Sequence, residues 1–385
     1  MMLPSPHRFL ASAFLLGLLG ATSLRAQEAV PDLVPEVGTD SVAPGTPAEV
    51  SGSAVAASPR RKASWLVIPG LFSFPETGPG VALKARVRDL GGVPGYVDAT
   101  VAVTMKRQAD LSVEWMRDSI AGLWRSTQGL SVGRFPGVWY GPGNPAPKEA
   151  EARYTPTYIE SESRLARYLS SGWAVEGAVF LAYQDNEDKD EGALLAKDVV
   201  ARPGTLGAMI GGGVEYEGRD LPSNPRKGSY LRSRAKVSLP GSRHRWGSLQ
   251  NDVSHTEAWG SLIAVGRLRF LDSWGEVPFW EMPYLGSREA LRGLPGGRLR
   301  GPSVQCAGLE LRYAMPLVFG VASQLAVFGE EGRAGGNASV WSSAVKPAGG
   351  GGVRVLLDGG QAVLRVDYGV SEVGSGLYID FGHSF

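Results

Sequence analysis

Leu377-Tyr-Ile379-Asp-Phe381-Gly-His383-Ser-Phe385 closes the chain, and the two faces of that stretch decide the fold. Successive side chains of an extended strand point to opposite sides. Leu377, Ile379, Phe381 and Phe385 therefore share one face, interrupted only by His383, while Tyr378 and Asp380 take the other. The same alternation recurs upstream. Leu309, Leu311 and Tyr313 alternate with Glu310 and Arg312; Leu364, Val366 and Tyr368 with Arg365 and Asp367; Leu268 and Phe270 with Arg267 and Arg269. A soluble sandwich would alternate too, with its apolar face packed on a second sheet. The ending separates the two readings. An apolar dyad repeat that stops on a C-terminal Phe fits a strand facing lipid in a transmembrane antiparallel β-barrel, whose other face lines a polar lumen.

Outward from that end, the chain from Trp65 onward reads as all-β, in segments of about 8 to 12 residues punctuated by Gly, Pro, Asn and Asp. Candidate strands cover 65–74, 80–90, 97–106, 109–117, 120–127, 155–168, 172–183, 206–216, 229–238, 248–258, 260–270, 303–315, 318–328, 350–358, 361–369 and 376–385. The total is about sixteen, an even number as single-chain bacterial barrels require. Short turns such as Pro75-Glu76-Thr77-Gly78 and Asp358-Gly359-Gly360 are expected on the periplasmic side, and the longer stretches 135–154, 184–203 and 271–302 as extracellular loops.

Residues 1–26 read as a signal peptide. His7 and Arg8 precede an apolar run from Phe9 to Ala21, too short for a membrane-spanning helix of about 20 residues but suited to a secretory leader. Cleavage falls after Ala26 or after Ser23, and no Cys follows for lipidation. Residues 27–63 carry Pro31, Pro35, Pro44, Pro47 and Pro59, no aromatic residue and a basic close at Arg60-Arg61-Lys62. Such a segment buries too little surface to offset its ordering entropy and reads as a disordered periplasmic linker. Residues 64–385 are left for the barrel. The only cysteine, Cys306, rules out an internal disulfide, so a hydrogen-bonded closed sheet has to supply the stability. The net charge of +1 speaks against a nucleic-acid partner, which calls for a clustered basic surplus.

Several segments, in order, carry a family resemblance. These are Phe74-Pro75-Glu76-Thr77-Gly78; Phe135-Pro-Gly-Val-Trp-Tyr-Gly-Pro-Gly-Asn144; Glu217-Gly-Arg219-Asp220 with Asn224-Pro-Arg-Lys-Gly228; Pro283-Tyr-Leu-Gly286-Ser-Arg-Glu-Ala-Leu291-Arg292-Gly293-Leu294, continued by Gly297-Arg298-Leu-Arg300-Gly301; and Phe328-Gly-Glu330-Glu-Gly332. From Trp65 to Phe385 the chain resembles the barrel domain of the BamA/TamA outer-membrane proteins, also called bacterial surface antigens. In that comparison 283–301 resembles the large extracellular loop six, whose Arg-Gly-aromatic tip folds back into the lumen. Leu294 stands where Phe or Tyr is usual, and Glu217 and Glu330 stand where Asp is usual. The resemblance implies that Arg292 pairs with Glu330 inside the barrel, a planar guanidinium meeting the carboxylate it needs when buried. The bland alternative is an exposed loop arginine. It further implies that Leu377, Ile379, Phe381 and Phe385 form a C-terminal β-signal. Relatives that insert or secrete proteins carry POTRA modules before the barrel, and residues 27–63 are too few and too Pro-rich for one, so the chain reads as barrel-only.

Enzyme chemistry finds little footing. Gly129-Leu130-Ser131-Val132-Gly133 matches a nucleophile elbow on paper, but no helical period follows it. Beyond His7 only His244, His255 and His383 are present, and no phosphate loop occurs, so neither a zinc site nor any other cofactor is expected. Gln184-Asp-Asn-Glu-Asp-Lys-Asp-Glu191 offers carboxylates for calcium, with a solvated loop as the favoured alternative.

Two functions remain. One is membrane-protein assembly or translocation, working through a weak seam between the first and last strands, with Gly374, Gly376 and Gly382 loosening the pairing. Its partners would be outer-membrane lipids, unfolded barrel clients and a periplasmic protein standing in for the POTRA domains. The other is a passive pore or structural surface barrel, for which a charged inner face is equally suited.

Overall fold

The computed structural model describes residues 63–383 apart from 75–77, 121, 136, 144–151, 188–199, 202–203, 287–288, 295, 319–320, 358–359 and 361. The expected signal peptide and linker, the turn at 75–77, most of the acidic loop and Phe385 fall outside the described residues.

Among those described, sixteen strands form one antiparallel wall: β1 (Ser64–Phe74), β2 (Gly78–Arg88), β3 (Gly95–Thr104), β4 (Ala109–Ile120), β5 (Trp124–Arg134), β7 (Ala152–Tyr168), β8 (Trp173–Glu187), β9 (Gly204–Glu217), β10 (Gly228–Ser238), β11 (Trp246–Trp259), β12 (Leu262–Gly275), β15 (Ser303–Val318), β16 (Val321–Gly335), β17 (Lys346–Leu357), β18 (Ala362–Ser371) and β19 (Gly374–Phe381). A three-residue strand β6 (Gly137–Trp139) adds to β7, and β13 (Tyr284–Leu285) pairs with β14 (Leu299–Arg300) within the longest loop. Each wall strand pairs with the next along the chain. Among the described residues no ladder joins β19 back to β1, yet the sheet curls far enough for Lys84 Nζ on β2 to reach Asp380 Oδ1 on β19 at 3.1 Å.

Two sequence expectations need correcting. The fifth strand runs over 124–134 rather than 120–127, because Gly129 and Gly133, which read as punctuation, are paired on both sides: Gly129 with Glu114 and Glu162, Gly133 with Asp110 and Tyr158. Neighbouring ladders outweigh the weak strand preference of glycine. The turns at 75–78 and 358–360 also do not share a side. Consecutive antiparallel strands reverse direction, so the connection after the first wall strand and that after the fourteenth lie at opposite ends. The β1–β2 ladder closes at Phe74↔Gly78 on the end where the connections 135–151, 188–203 and 276–302 emerge. That end is called the loop end below, and the other the turn end.

The alternation read from the sequence sorts the wall. Leu83, Val101, Leu130, Ile159, Leu181 and Ile210 point outward and are exposed, whereas Arg312, Arg354 and Asp367 point inward and are fully buried. Aromatic residues mark both rims of the outward band. Trp173 and Tyr216 lie 5.1 Å apart at the turn end, and Trp274 is exposed at the loop end. No helix among the described residues is long and apolar enough to cross a membrane.

The packed interior is supplied by loops folded into the barrel. Loop six (276–302), the sixth connection at the loop end, contributes Leu285, Leu291, Leu294 and Leu299, which cluster with Val304 and Ala334 of the wall. Burying each such leucine is worth roughly 1.5–3 kcal/mol. Nearer the rim, Phe279 of loop six meets Trp139 and Tyr154 edge-on at 5.3 and 5.0 Å, and a β-bridge joins Gly143 to Arg300.

Candidate functional site

The β13–β14 pair, Tyr284↔Arg300 and Leu285↔Leu299, pinches loop six, whose tip meets the inner face of β15, β16 and β18. At the tip the chain turns sharply. Leu291 takes φ 54° and Gly293 φ 100°, and the Leu294 N–H donates to the Leu291 carbonyl at 3.1 Å. A left-handed leucine is strained, and the turn persists because Leu291 is completely buried in the aliphatic cluster.

That turn aims Arg292 at three carboxylates. Its Nε donates to Glu330 Oε1 at 3.1 Å, and Nη1 donates to Glu310 Oε2 at 2.9 Å and to Asp367 Oδ2 at 2.7 Å. The backbone N–H of Arg292 donates to Glu330 Oε2 at 2.7 Å. The guanidinium carbon sits 3.3 Å from the centre of the Phe328 ring. Arg312 takes the other oxygen of Glu310 at 2.7 Å, while Arg354 shares Glu310 Oε2 at 3.0 Å and also pairs with Asp367. Arg292, Glu310, Arg312, Arg354 and Asp367 are all fully buried.

The Phe-x-Glu-x-Gly stretch of β16 now has a physical reading. Phe328, Glu330 and Gly332 point inward together: the ring takes the face of the guanidinium, the carboxylate takes its edge, and Gly332 leaves room that the Leu291 and Leu285 methyl groups fill. Gly293 is held twice, its N–H by the Tyr378 hydroxyl of β19 at 2.8 Å and its carbonyl by Ser371 Oγ of β18 at 3.0 Å. Leu294 makes no ring stack; it joins the aliphatic cluster at 2% exposure. Glu310, Asp367 and Tyr378 went unassigned by the sequence as partners of loop six. The alternation signals that they face inward and nothing more.

The remaining candidates lie elsewhere. Glu217, Arg219, Asp220 and Gly228 belong to the β9–β10 turn at the turn end. There Arg219 Nε donates to Glu217 Oε1 at 2.8 Å and the guanidinium stacks 4.4 Å from the Tyr230 ring centre. Asp220 Oδ1 accepts the N–H groups of Leu221 and Arg226, both at 2.9 Å. Desolvation opposes its ionisation, but the backbone donors of Arg226, Leu221 and Lys227 outweigh that and hold its carboxyl below the usual range. Leu377 points outward and is exposed, with Ile379 on the same face. Ser131 lies within β5, a plain strand with no turn into a helix.

An antiparallel wall with an apolar outer band, a charged lumen and one long loop pinned inside by a buried arginine defines a transmembrane-type barrel with an internal loop. The Omp85 superfamily domain matches residues 97–385, and the chain belongs to that superfamily. The fold is similar to BamA from Haemophilus ducreyi lacking POTRA domains 1–3, with a TM-score of 0.59 and 12% identity over 83% of this chain and 70% of that one. It is similar as well to CdiB from Acinetobacter baumannii (TM-score 0.53, 14% identity, 82% of this chain and 59% of that one) and to CdiB from Escherichia coli (0.60, 11%, 84% and 63%). This chain thus spans less than two thirds of either CdiB structure. No curated protein matches it by sequence.

Proposed function

We propose that the chain works in the outer membrane of a bacterium, assembling membrane proteins or translocating them through a lateral seam between β1 and β19, without bond-making chemistry or a cofactor. The observation that carries this reading is the tie from loop six to the last two strands. Tyr378 of β19 and Ser371 of β18 both hold Gly293, next to the Arg292 ion cluster. An element fixed deep in the lumen thereby sets the position of the strand at the seam. Gly374 and Gly376 thin that strand, which spans eight residues. Superfamily membership and the likeness to BamA and CdiB support the same reading. Its partners would be outer-membrane lipids, unfolded barrel clients and a periplasmic protein that delivers them to the turn end.

A passive pore is the second reading, favoured by one observation. Inward side chains of β2–β4 remain partly accessible, with Arg86, Asp98 and Glu114 at 25%, 19% and 21%, while those around Arg292 are sealed. Both readings meet in one experiment: purified protein in liposomes, with and without Arg292→Ala, assayed for insertion of an unfolded outer-membrane barrel. Acceleration that the substitution abolishes supports assembly. Absence of acceleration beside clear ion conductance sinks it in favour of the pore.

A further inference from the structure

The β9–β10 turn is longer than joining two adjacent strands requires. Hairpins close in 2–5 residues, whereas this connection occupies 218–227. It is also internally braced. Besides the Asp220 bonds, the Asp220 N–H donates to the Lys227 carbonyl at 3.1 Å and the Asn224 N–H to the Leu221 carbonyl at 3.0 Å. Arg226 and Lys227 anchor its base, donating to the Gly260 carbonyl at 2.5 Å and pairing with Glu257 at 3.7 Å.

Its tip touches the opposite side of the barrel. Ser223 Oγ donates to the Gly360 carbonyl at 3.0 Å, Gln324 Nε2 donates to Asn224 Oδ1 at 3.2 Å, and His383 Nε2 lies 3.1 Å from the same oxygen. β9 and β10 are the eighth and ninth strands of the wall, while Gln324, Gly360 and His383 belong to the thirteenth strand, the connection after the fourteenth and the residues after the sixteenth. In a curled sheet of sixteen strands these positions face each other across the lumen. Gly382, with φ 84°, turns the chain just past β19, and His383 follows. Because Asn224 Oδ1 accepts, His383 serves as the Nε2–H donor.

We propose that the β9–β10 turn is a strap closing the turn-end mouth of the lumen, latched through Asn224 and His383 to the strand at the seam, so that opening the mouth and moving β19 are coupled. The fastenings suit a part that must release. They are hydrogen bonds of neutral groups, individually weak, in contrast to the ion cluster that fixes loop six. Mouth closure makes no use of the assembly reading, since it predicts ion flow rather than insertion.

The test is conductance of the full chain in planar lipid bilayers, with heat-modifiable mobility of each variant confirming a folded barrel. Ser223→Ala combined with Asn224→Ala is expected to raise open probability by about tenfold or more. His383→Ala is expected to give a smaller rise in the same direction, and adding Asn224→Ala to it to bring less than the two single effects combined, because both remove the Asn224–His383 bond while only Asn224→Ala also frees Gln324. Single Ser223→Ala, which deletes only a hydroxyl, should give a smaller rise in the same direction and serves if the double variant fails to fold. Unchanged conductance in folded variants overturns the strap. A rise with Asn224→Ala but none with His383→Ala overturns the coupling to the seam.

Discussion

Nη1 of Arg292 donates to Asp367 at 2.7 Å across 75 positions of sequence, tying the tip of loop six to the fifteenth strand of the wall. The same nitrogen also meets Glu310 on the twelfth strand, and the other edge of the guanidinium meets Glu330 on the thirteenth. One side chain therefore holds three strands in register. Removing one partner from a buried ion cluster costs far more than the cluster contributes over an apolar packing, because charges are left stranded.

Arg292→Ala should therefore destabilise the barrel by about 3–5 kcal/mol, read as a lower temperature for the shift between folded and unfolded bands in heat-modifiability gels. Arg292→Lys should recover only a minor part of that loss. An ammonium restores the charge but cannot reach three carboxylates and stack on Phe328 with a planar fork. Recovery to the wild-type transition with lysine would show that charge alone holds the loop.

Gly293→Ala leaves every charge in place and should still release the loop. Its φ of 100° is strained for alanine, and the added Cβ would stand 2.5 Å from the Val370 nitrogen and 2.6 Å from the Gly369 carbonyl carbon. Protease cleavage within 286–298 on whole cells or proteoliposomes should appear in the variant and be absent in the wild type. Protection equal to wild type would mean that the tip can be rebuilt around a side chain.

Leu294→Phe converts the tip to the residue more usual in its relatives, and it should weaken this barrel rather than improve it. Leu294 sits at 2% exposure among Leu285, Leu291 and Leu299, and the aromatic contact to Arg292 is already made by Phe328. Overpacking such a site costs about 1–3 kcal/mol, measurable on the same gels; a higher transition temperature would contradict it.

The latch at His383 should loosen in mild acid. Burial first, then Arg312 with Arg354 and Arg365, hold its folded pKa well below 6.5, while Glu310 acts the other way. Asn224 and Gln324 are its uncharged neighbours. A group with a depressed folded pKa contributes its full stability above the unfolded value and loses it as pH falls toward the folded one. Hydrogen exchange of the 218–227 amides should quicken as pH drops below about 6.5 after correction for intrinsic rates, and His383→Gln should flatten that dependence. Asp220 acts in a lower window, since its own pKa is depressed below 3.8.

The site was legible where a motif names a residue and illegible where only a direction is encoded. Arg292, Glu330, Phe328 and Gly332 stand in recognisable strings, whereas Glu310, Asp367 and Tyr378 are inward positions among many. Asn224 opens the Asn224-Pro-Arg-Lys-Gly228 segment, but no local pattern announces a partner 159 positions away at His383.

By itself the sequence determined the class of wall. Period-two alternation assigns each side chain to lipid or lumen whatever the register, and the even number of segments follows from the turn residues between them. Tertiary structure alone decided which inward charges meet, which end each turn occupies and where the β9–β10 turn lands. Those depend on curvature and on the summed register of successive ladders, since a two-residue shift in any ladder keeps the lumen and lipid faces and changes which inward charges meet.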